Sequence, residues 1–124
     1  MLLGDFFNIT KTQILENNLF RLRVSLNPQH PIFEGHFPGN PIVPGVCLTQ
    51  MAKELIETQL QKPFNLIKAD NIKFTAIVNP NLNPELDAKF ALKLLENEAV
   101  QAELTFFWEE TIFYKFKGSF SPQQ

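Results

Sequence analysis

Hydrophobic and polar side chains follow two different periods along the chain, and each period predicts one kind of element. Between residues 19 and 26 every second residue is a large apolar one, so the stretch 6–26 is predicted to hold one or two half-buried β-strands. Between residues 46 and 61 the apolar residues recur at helical spacing, and Pro63 ends the segment. They cover more than one narrow stripe, so we expect a long helix that is buried on several sides.

The second half of the chain predicts further strands separated by short turns. Alternating apolar residues indicate strands at 67–78, 86–95, 99–108 and 112–120, with turn residues at 79–84, 96–98 and 109–110. Residues 121–124 are expected to fray. The order of strand, loop, long helix and strand meander predicts an α+β fold with an antiparallel sheet, in one domain spanning residues 1–124.

Composition argues against several classes of function. The chain has 124 residues and a net charge of −2, which provides no electrostatic attraction for nucleic acid. No apolar run reaches the length of a membrane span and the first residues lack the pattern of a secretory signal, so we expect a cytoplasmic protein with no membrane association. One cysteine and two histidines at these spacings match no zinc pattern, and we interpret Cys47 as a small apolar helix residue.

The segment 35–51, GHFPGNPIVPGVCLTQM, contains the candidate chemistry. It places His36, which can exchange a proton near neutral pH, in a loop with three prolines and three glycines directly before the predicted helix. Prolines fix their own φ angles and glycines allow unusual turns, so such a loop can hold a side chain still. The N–H groups and the positive dipole end at a helix start suit a developing oxyanion. The layout predicts acid–base catalysis.

This segment resembles the active loop of the β-hydroxyacyl-acyl carrier protein dehydratases of fatty acid synthesis, which are proteins of the FabZ and FabA type. In that family an H-F-x-G-x-P-x-x-P-G loop carries the catalytic histidine, and an acidic residue follows on the next helix. The loop motif falls on His36, Phe37, Gly39, Pro41, Pro44 and Gly45. The resemblance implies a hot-dog fold, in which the antiparallel sheet wraps around one long helix. It also implies a lyase that removes water from a 3-hydroxyacyl thioester.

The resemblance assigns roles to individual residues. His36 would remove the C2 proton of the substrate, and a bond to the backbone carbonyl of Ile42 would set the tautomer of its imidazole. Gly45 would donate its backbone N–H to the thioester carbonyl as enolate character develops. Substrate-binding positions are expected at Phe37, Gly39, Ile42, Pro44 and Val46.

The resemblance also implies the partners. The family uses no metal or organic cofactor, and its substrate arrives on the phosphopantetheine arm of an acyl carrier protein. Its active sites lie at the interface of a homodimer, with the histidine from one subunit and the acidic residue from the other. We therefore expect two kinds of partner, an acyl carrier protein and further copies of the chain. The copies would form a homodimer or a higher assembly of dimers. The 13 phenylalanines suit a dry core, a dry interface or an acyl tunnel.

The chain departs from the family pattern at one catalytic position, where Gln50 replaces the acid. An amide keeps the length and hydrogen-bonding reach of glutamate but cannot give up a proton near neutral pH. Three outcomes follow: His36 performs both proton transfers while Gln50 orients the hydroxyl group or a water, another group supplies the acid, or the chain binds acyl thioesters without dehydrating them. Glu54, one turn further along the helix, is a candidate substitute acid and is otherwise expected to be a solvated or paired charge.

Two other functions stay open beside the dehydratase. In a hot-dog thioesterase, Gln50 would position a water that attacks the thioester carbonyl. In a non-catalytic subunit, the chain would bind acyl thioesters and pair with an active relative, contributing His36 or a tunnel wall. We interpret His30 as a surface or hydrogen-bonded residue rather than a second base.

Overall fold

The fold comprises six β-strands and one long α-helix. A computed structural model of the protein describes residues 1–35 and 39–124. This α+β architecture confirms the prediction from the sequence. The elements are β1 (Phe7–Glu16), β2 (Leu19–Leu26), α1 (Gly45–Leu60), β3 (Phe64–Phe74), β4 (Glu85–Leu94), β5 (Val100–Trp108) and β6 (Thr111–Pro122).

All six strands form one antiparallel sheet in the order β1-β2-β4-β5-β6-β3. The stretch predicted as one or two strands forms the hairpin β1–β2, whose turn includes Asn18 at a φ of 61°. Strand β3 follows the helix in sequence but pairs with β6, the last strand of the chain. The edges of the sheet are therefore β1 and β3.

The helix α1 is buried on several sides, as its apolar pattern predicts. It starts after Pro44, whose extended backbone forms the N-cap, and it ends at Leu60, where Gln61 takes a left-handed φ of 58°. The apolar side chains of the helix share one hydrophobic core with the inward residues of the sheet. The buried helix residues are Cys47, Leu48, Met51, Ala52, Glu54, Leu55 and Ile56.

The predicted end of β3 is wrong. The strand runs from Phe64 to Phe74 instead of ending at Val78. The Val78 carbonyl accepts the N–H of Val43, which precedes the helix, so this part of the chain supports the loop instead of extending the sheet. The structure thereby ties the start of α1 to the segment after β3.

The predicted fraying of residues 121–124 is also wrong for its first part. Strand β6 continues to Pro122, where Ser121 and Pro122 lie opposite Asn65 and Phe64 of β3. Pairing with the sheet edge holds these residues in place. Among the described residues, no helix has the length and apolar character needed to cross a membrane.

Candidate active site

The loop before α1 carries the predicted catalytic histidine and most of the predicted substrate-binding residues, and the structure describes part of this loop. His36 and Phe37 lie outside the described residues, so their roles stay predictions. Gly39 is exposed and has a φ of 81°, a conformation that favours glycine. The next substrate-binding candidates, Ile42 and Pro44, are half-buried. The loop therefore approaches the helix with Gly39 at its surface and Pro44 at the N-cap.

Gly45 is the first residue of α1 and packs closely against an aromatic ring. A Cβ atom at this position would lie 2.7 Å from Cε1 and Cζ of Phe74. The ring of Phe74 lies in turn 5.4 Å from that of Tyr114. Because the first N–H groups of a helix lack intrahelical acceptors, the start of α1 can offer a donor here, as predicted for Gly45. Its role toward a thioester stays a prediction.

A groove of about 480 Å³ lies beside the first two turns of α1. Val46, at 76% exposure, and Gln50 both line it, so the structure brings these two predicted site residues together. Strands β3 and β6 form the opposite wall, where two of the three lining side chains are apolar, and apart from Val46 the helix side is polar. The full lining is Val46, Thr49, Gln50, Lys53, Asn65, Leu66 and Phe120.

Gln50 forms a hydrogen-bonded pair with Glu54. Its Nε2 donates to Oε2 of Glu54 across 2.8 Å. The two residues lie one turn apart on α1, which is the spacing at which helix side chains meet. Glu54 itself does not line the groove, so Gln50 separates it from that space.

Glu54 is a buried, hydrogen-bonded carboxylate, so of the two alternatives for its charge, solvated or paired, the solvated one is wrong. Only 2% of the residue is exposed. Its oxygens accept hydrogen bonds from the backbone N–H groups of Leu2, at 2.9 Å to each oxygen, and of Leu3, at 2.8 Å. Backbone donors offset the cost of burying a carboxylate. With Gln50 as a further donor, both oxygens are engaged, which argues against Glu54 as a direct acid.

Thr49 on the wall of the groove is hydrogen-bonded to Tyr114 behind it. The hydroxyl groups of Thr49 and Tyr114 are 2.7 Å apart, and Tyr114 is fully buried in the core. Burial raises the pKa of the Tyr114 phenol, and the bond to Thr49 offsets only part of that effect. Cys47 is buried on α1, which agrees with its interpretation as a small apolar helix residue, and burial raises the pKa of its thiol, so it is a poor nucleophile.

His30 is a hydrogen-bonded residue, as predicted. Its Nδ1 accepts the N–H of Ile32 at 3.1 Å, and its Nε2 lies 3.2 Å from a carboxylate oxygen of Asp5. The ring therefore carries its proton on Nε2 and caps the short 3-10 turn at Pro31–Phe33. Both nitrogens are occupied, which leaves neither available as a second base.

The loop residues Gly39 and Pro41 and the helix residue Gln50 line separate grooves. Gly39 and Pro41 line a second groove of about 400 Å³ with His30 and Phe33. This second groove shares no lining residue with the groove that contains Gln50. A single chain therefore leaves its Gln50 groove without contact from Gly39 or Pro41.

Sequence reasoning missed how Glu54 is held and missed Tyr114 altogether. The i, i+4 spacing of Gln50 and Glu54 was a usable signal for their contact. The contact of Glu54 with the backbone of Leu2 and Leu3 had no such signal, because it joins residues about fifty positions apart. The contact between Thr49 and Tyr114 joins α1 to β6 in the same way.

Comparison with known proteins identifies the wider group. The family model for ApeI-like proteins, described as ApeI dehydratase, matches residues 11–111. A thioester dehydrase of Halalkalibacterium halodurans is 35% identical over 77 residues, covering 56% of this chain and 49% of that protein. The FabZ dehydratase of Lactococcus lactis subsp. cremoris is 34% identical over 89 residues, covering 66% and 60%. The chain thus spans about half the length of the first of these relatives.

Solved structures support the same grouping at the level of the fold. A chain of the dehydratase heterocomplex ApeI:P from Xenorhabdus doucetiae superposes with a TM-score of 0.66 at 16% identity, covering 91% of this chain and 96% of that one. A conserved protein of Pseudomonas aeruginosa gives a TM-score of 0.63 at 10% identity, covering 91% and 87%. The six-stranded antiparallel sheet with its single helix is the hot-dog fold of such dehydratases. The chain therefore belongs to the ApeI-like dehydratase family, among the hot-dog proteins of the FabZ and FabA type.

Proposed function

We propose that the chain is a 3-hydroxyacyl-acyl carrier protein dehydratase that eliminates water from a 3-hydroxyacyl thioester to give the 2-enoyl thioester, in fatty acid or specialised polyene synthesis. The observation that carries this proposal is the groove beside the start of α1, which joins Val46 and Gln50 in a chain of the ApeI-like family. Leu66 and Phe120 give the groove an apolar wall suited to an acyl chain.

In the proposed reaction, His36 moves the proton. Its neutral nitrogen takes the C2 proton, and the electron pair of the C–H bond moves onto the thioester carbonyl to form an enolate. The backbone N–H of Gly45 stabilises the enolate oxygen. When the carbonyl re-forms, the electron pair forms the C2–C3 double bond and the C3–O bond breaks, while the imidazolium gives its proton to the leaving oxygen, which departs as water. Gln50 orients the hydroxyl group throughout. Two facts support giving both transfers to His36: an amide releases no proton, and both oxygens of Glu54 are already engaged.

The reaction moves only protons and a hydroxyl group, so its chemistry requires neither a metal nor an organic cofactor. We propose that the substrate arrives on the phosphopantetheine arm of an acyl carrier protein. The FabZ relatives carry this carrier in their name, as 3-hydroxyacyl-[acyl-carrier-protein] dehydratases. The positions we assign to substrate binding are Phe37, Gly39, Ile42, Pro44 and Val46.

We further propose that the active site is completed by a second copy of the chain. Gly39 and Gln50 lie in different grooves of one chain, so a catalytic loop from a partner would complete the Gln50 groove. The edge strand β3 borders this groove through Asn65 and Leu66. Pairing of two β3 edges would place the loop of one subunit near the helix of the other.

A non-catalytic subunit is the second candidate. The Xenorhabdus doucetiae structure is described as a dehydratase heterocomplex, so a solved fold neighbour assembles from different chains. A chain with Gln50 in place of an acid suits the role of a binding subunit in such an assembly. This candidate predicts acyl-thioester binding without turnover by the protein alone.

The test is an assay of purified protein with 3-hydroxyacyl, 2-enoyl and saturated acyl carrier protein thioesters. A dehydratase interconverts the first two, a thioesterase releases free acid, and a binding subunit turns over none.

His36→Asn is expected to abolish turnover in a folded protein. His30→Asn is the matched control, because it removes the only other imidazole and leaves turnover near the wild-type rate. Full activity in folded His36→Asn protein would overturn the catalytic assignment.

A further inference from the structure

The pair formed by Gln50 and Glu54 fixes which end of the Gln50 amide faces the groove. Both oxygens of Glu54 accept backbone N–H groups, so Glu54 faces Gln50 as a hydrogen-bond acceptor and the amide nitrogen of Gln50 points toward it. The bond of 2.8 Å from Nε2 to Oε2 has this orientation. Gln50 also lines the groove, and within the described ranges no hydrogen bond engages its carbonyl oxygen. The end of the amide left for the groove is therefore an acceptor.

The carboxylate of Glu54 is itself held firmly. Leu2 donates its N–H to both oxygens at 2.9 Å, and Leu3 donates to Oε1 at 2.8 Å. Because Glu54 is 2% exposed, bulk water does not compete for these bonds. A carboxylate fixed by the backbone at one side and bonded to Gln50 at the other leaves the amide little freedom to turn over.

We propose that Glu54 is a positioning residue that holds Gln50 with its carbonyl oxygen toward the groove, so that the site recognises a hydrogen-bond donor, the 3-hydroxyl group of the acyl chain. This inference rests on the proposed function for the identity of the substrate. A hydroxyl group whose hydrogen points at Gln50 keeps its oxygen lone pairs free. Those lone pairs are the ones that must receive a proton before the oxygen can leave as water.

Glu54→Gln tests the proposal because it changes the polarity of the pair and very little of its shape. The new amide would offer N–H groups where Gln50 now finds an acceptor. Gln50 would then turn over and present its own N–H groups to the groove. We expect kcat for the 3-hydroxyacyl thioester to fall about tenfold or more, the size expected when a buried hydrogen bond is lost and its partner stays unpaired. Binding of the saturated acyl thioester should change little.

Glu57→Gln is the matched control on the same helix. The Glu57 carboxylate also accepts a backbone N–H, from Phe64 at 2.7 Å, but it does not contact Gln50. This variant makes the same change from carboxylate to amide and removes the charge that lies 3.9 Å from the Lys53 ammonium, while its remaining oxygen can still accept the Phe64 N–H. Any general effect of removing a carboxylate from this helix therefore appears in it as well. We expect its kcat to stay within about twofold of the wild-type value, since the site keeps its hydrogen bonds.

A double-mutant cycle with Gln50→Ala separates positioning from a general structural effect. If Glu54 acts through Gln50, then Glu54→Gln has no further effect on kcat in the Gln50→Ala background. Additive losses in the two variants would overturn the proposal. So would a folded Glu54→Gln protein that dehydrates at the wild-type rate. Wild-type protein that does not dehydrate any 3-hydroxyacyl thioester would instead overturn the proposed function itself.

The orientation of the amide can be measured without turnover. In the wild-type protein the side-chain N–H protons of Gln50, assigned by their loss in Gln50→Ala, should exchange slowly with solvent because one of them is bonded to a buried carboxylate. This protection should persist in Glu57→Gln. Fast exchange of these protons in the wild-type protein would overturn the proposal even if Glu54→Gln does not fold.

Discussion

The side chain that position 50 can accommodate depends on the neighbouring carboxylate of Glu54. A glutamate there would bring two carboxylates to about the distance that now separates Nε2 of Gln50 from Oε2 of Glu54, which is 2.8 Å. Like charges so close cannot both ionise, and one of them keeps a proton. The amide avoids this repulsion because it donates to Glu54. An amide at position 50 and a buried carboxylate at position 54 are thus mutually compatible.

Gln50→Glu is expected to add a pH-dependent acid to the groove. In this variant the carboxyl groups at positions 50 and 54 should share one proton, so the upper apparent pKa of the pair should be raised above that of an isolated carboxyl group. Lys53 in the same groove acts in the opposite direction, because its positive charge favours the ionised form. Because the protonated form donates to the leaving oxygen, dehydration should exceed the wild-type rate below that pKa and decline as the pH rises through it. The measurement is the pH–rate profile of both proteins.

The combined variant Gln50→Glu, Glu54→Gln is the control for the coupling. It leaves a single carboxyl group in the pair, so the pKa of that group should be lower than the upper apparent pKa of two carboxyl groups. The descending limb of the pH–rate profile should therefore move to lower pH. Identical profiles in the single and combined variants would show that the two positions do not interact. If the single variant binds acyl carrier thioesters and still does not dehydrate, the binding-subunit function replaces the dehydratase.

At the scale of the elements, β2 and β4 are joined by a charged cluster on the face of the sheet away from the core. Asp87 of β4 accepts from Arg21 at 2.7 Å and from Arg23 at 2.8 Å, both in β2. The Arg23 guanidinium lies 4.7 Å from the ring centre of Trp108 in β5. Burial by itself would raise the pKa of Asp87, but the hydrogen bonds from Arg23 and Arg21 outweigh it and lower that pKa.

The lowered pKa of Asp87 predicts a loss of stability in acid. A carboxyl group whose pKa is lower in the folded state than in the unfolded state stabilises the fold at pH values above its unfolded pKa, which is about 3.9. That contribution is lost as the pH falls through the folded pKa. Asp87→Asn should lower the free energy of unfolding at pH 7 by about 1–3 kcal/mol, less than for a fully buried pair because both arginines are partly exposed. It should also flatten the decline in stability below about pH 4.

Urea unfolding at neutral and acid pH measures this effect. Glu103→Gln is the control, because Glu103 forms an exposed pair with Lys117 at 3.6 Å. Loss of such a pair costs less than about 1 kcal/mol. Equal losses in the two variants would contradict a special role for the Asp87 cluster.

The elements were largely predictable because period and turn residues are local signals. The alternation of β2 and the helical spacing of α1 predicted both elements nearly to their ends. The end of β3 was not predictable from local signals, since the segment after it bonds through Val78 to Val43, thirty-five positions away. The site divides in the same way: Gln50 and Val46 follow from a motif on one helix, whereas the anchoring of Glu54 by Leu2 and Leu3 depends on tertiary packing.

At the scale of the whole molecule, the edge strand β3 carries exposed apolar side chains beside the groove. Ile67 is 59% exposed, and Leu66 lines the groove that contains Gln50. We expect the protein to sediment as a dimer at micromolar concentration, because a second copy would cover this edge and complete the site. Ile67→Glu should shift it toward monomer and lower turnover together, since a charge in an apolar interface is costly.

Ile14→Glu is the control for the other edge of the sheet. Ile14 lies on β1 and is 70% exposed, so the variant introduces the same charge at the opposite edge. We expect it to remain a dimer. A wild-type monomer at micromolar concentration, or a dimer that dissociates in Ile14→Glu but not in Ile67→Glu, would contradict pairing through β3.

The positions of Trp108 and Tyr114 determine what the intrinsic fluorescence of the protein reports. The chain contains one tryptophan and one tyrosine. The indole lies beneath the guanidinium of Arg23, so we expect its emission to follow the charged cluster and the protonation of Asp87. The phenol is bonded to Thr49 on the wall of the groove, so we expect its emission to respond to what enters there. The unlabelled chain would then carry two optical reporters, one for acid unfolding and one for ligand entry.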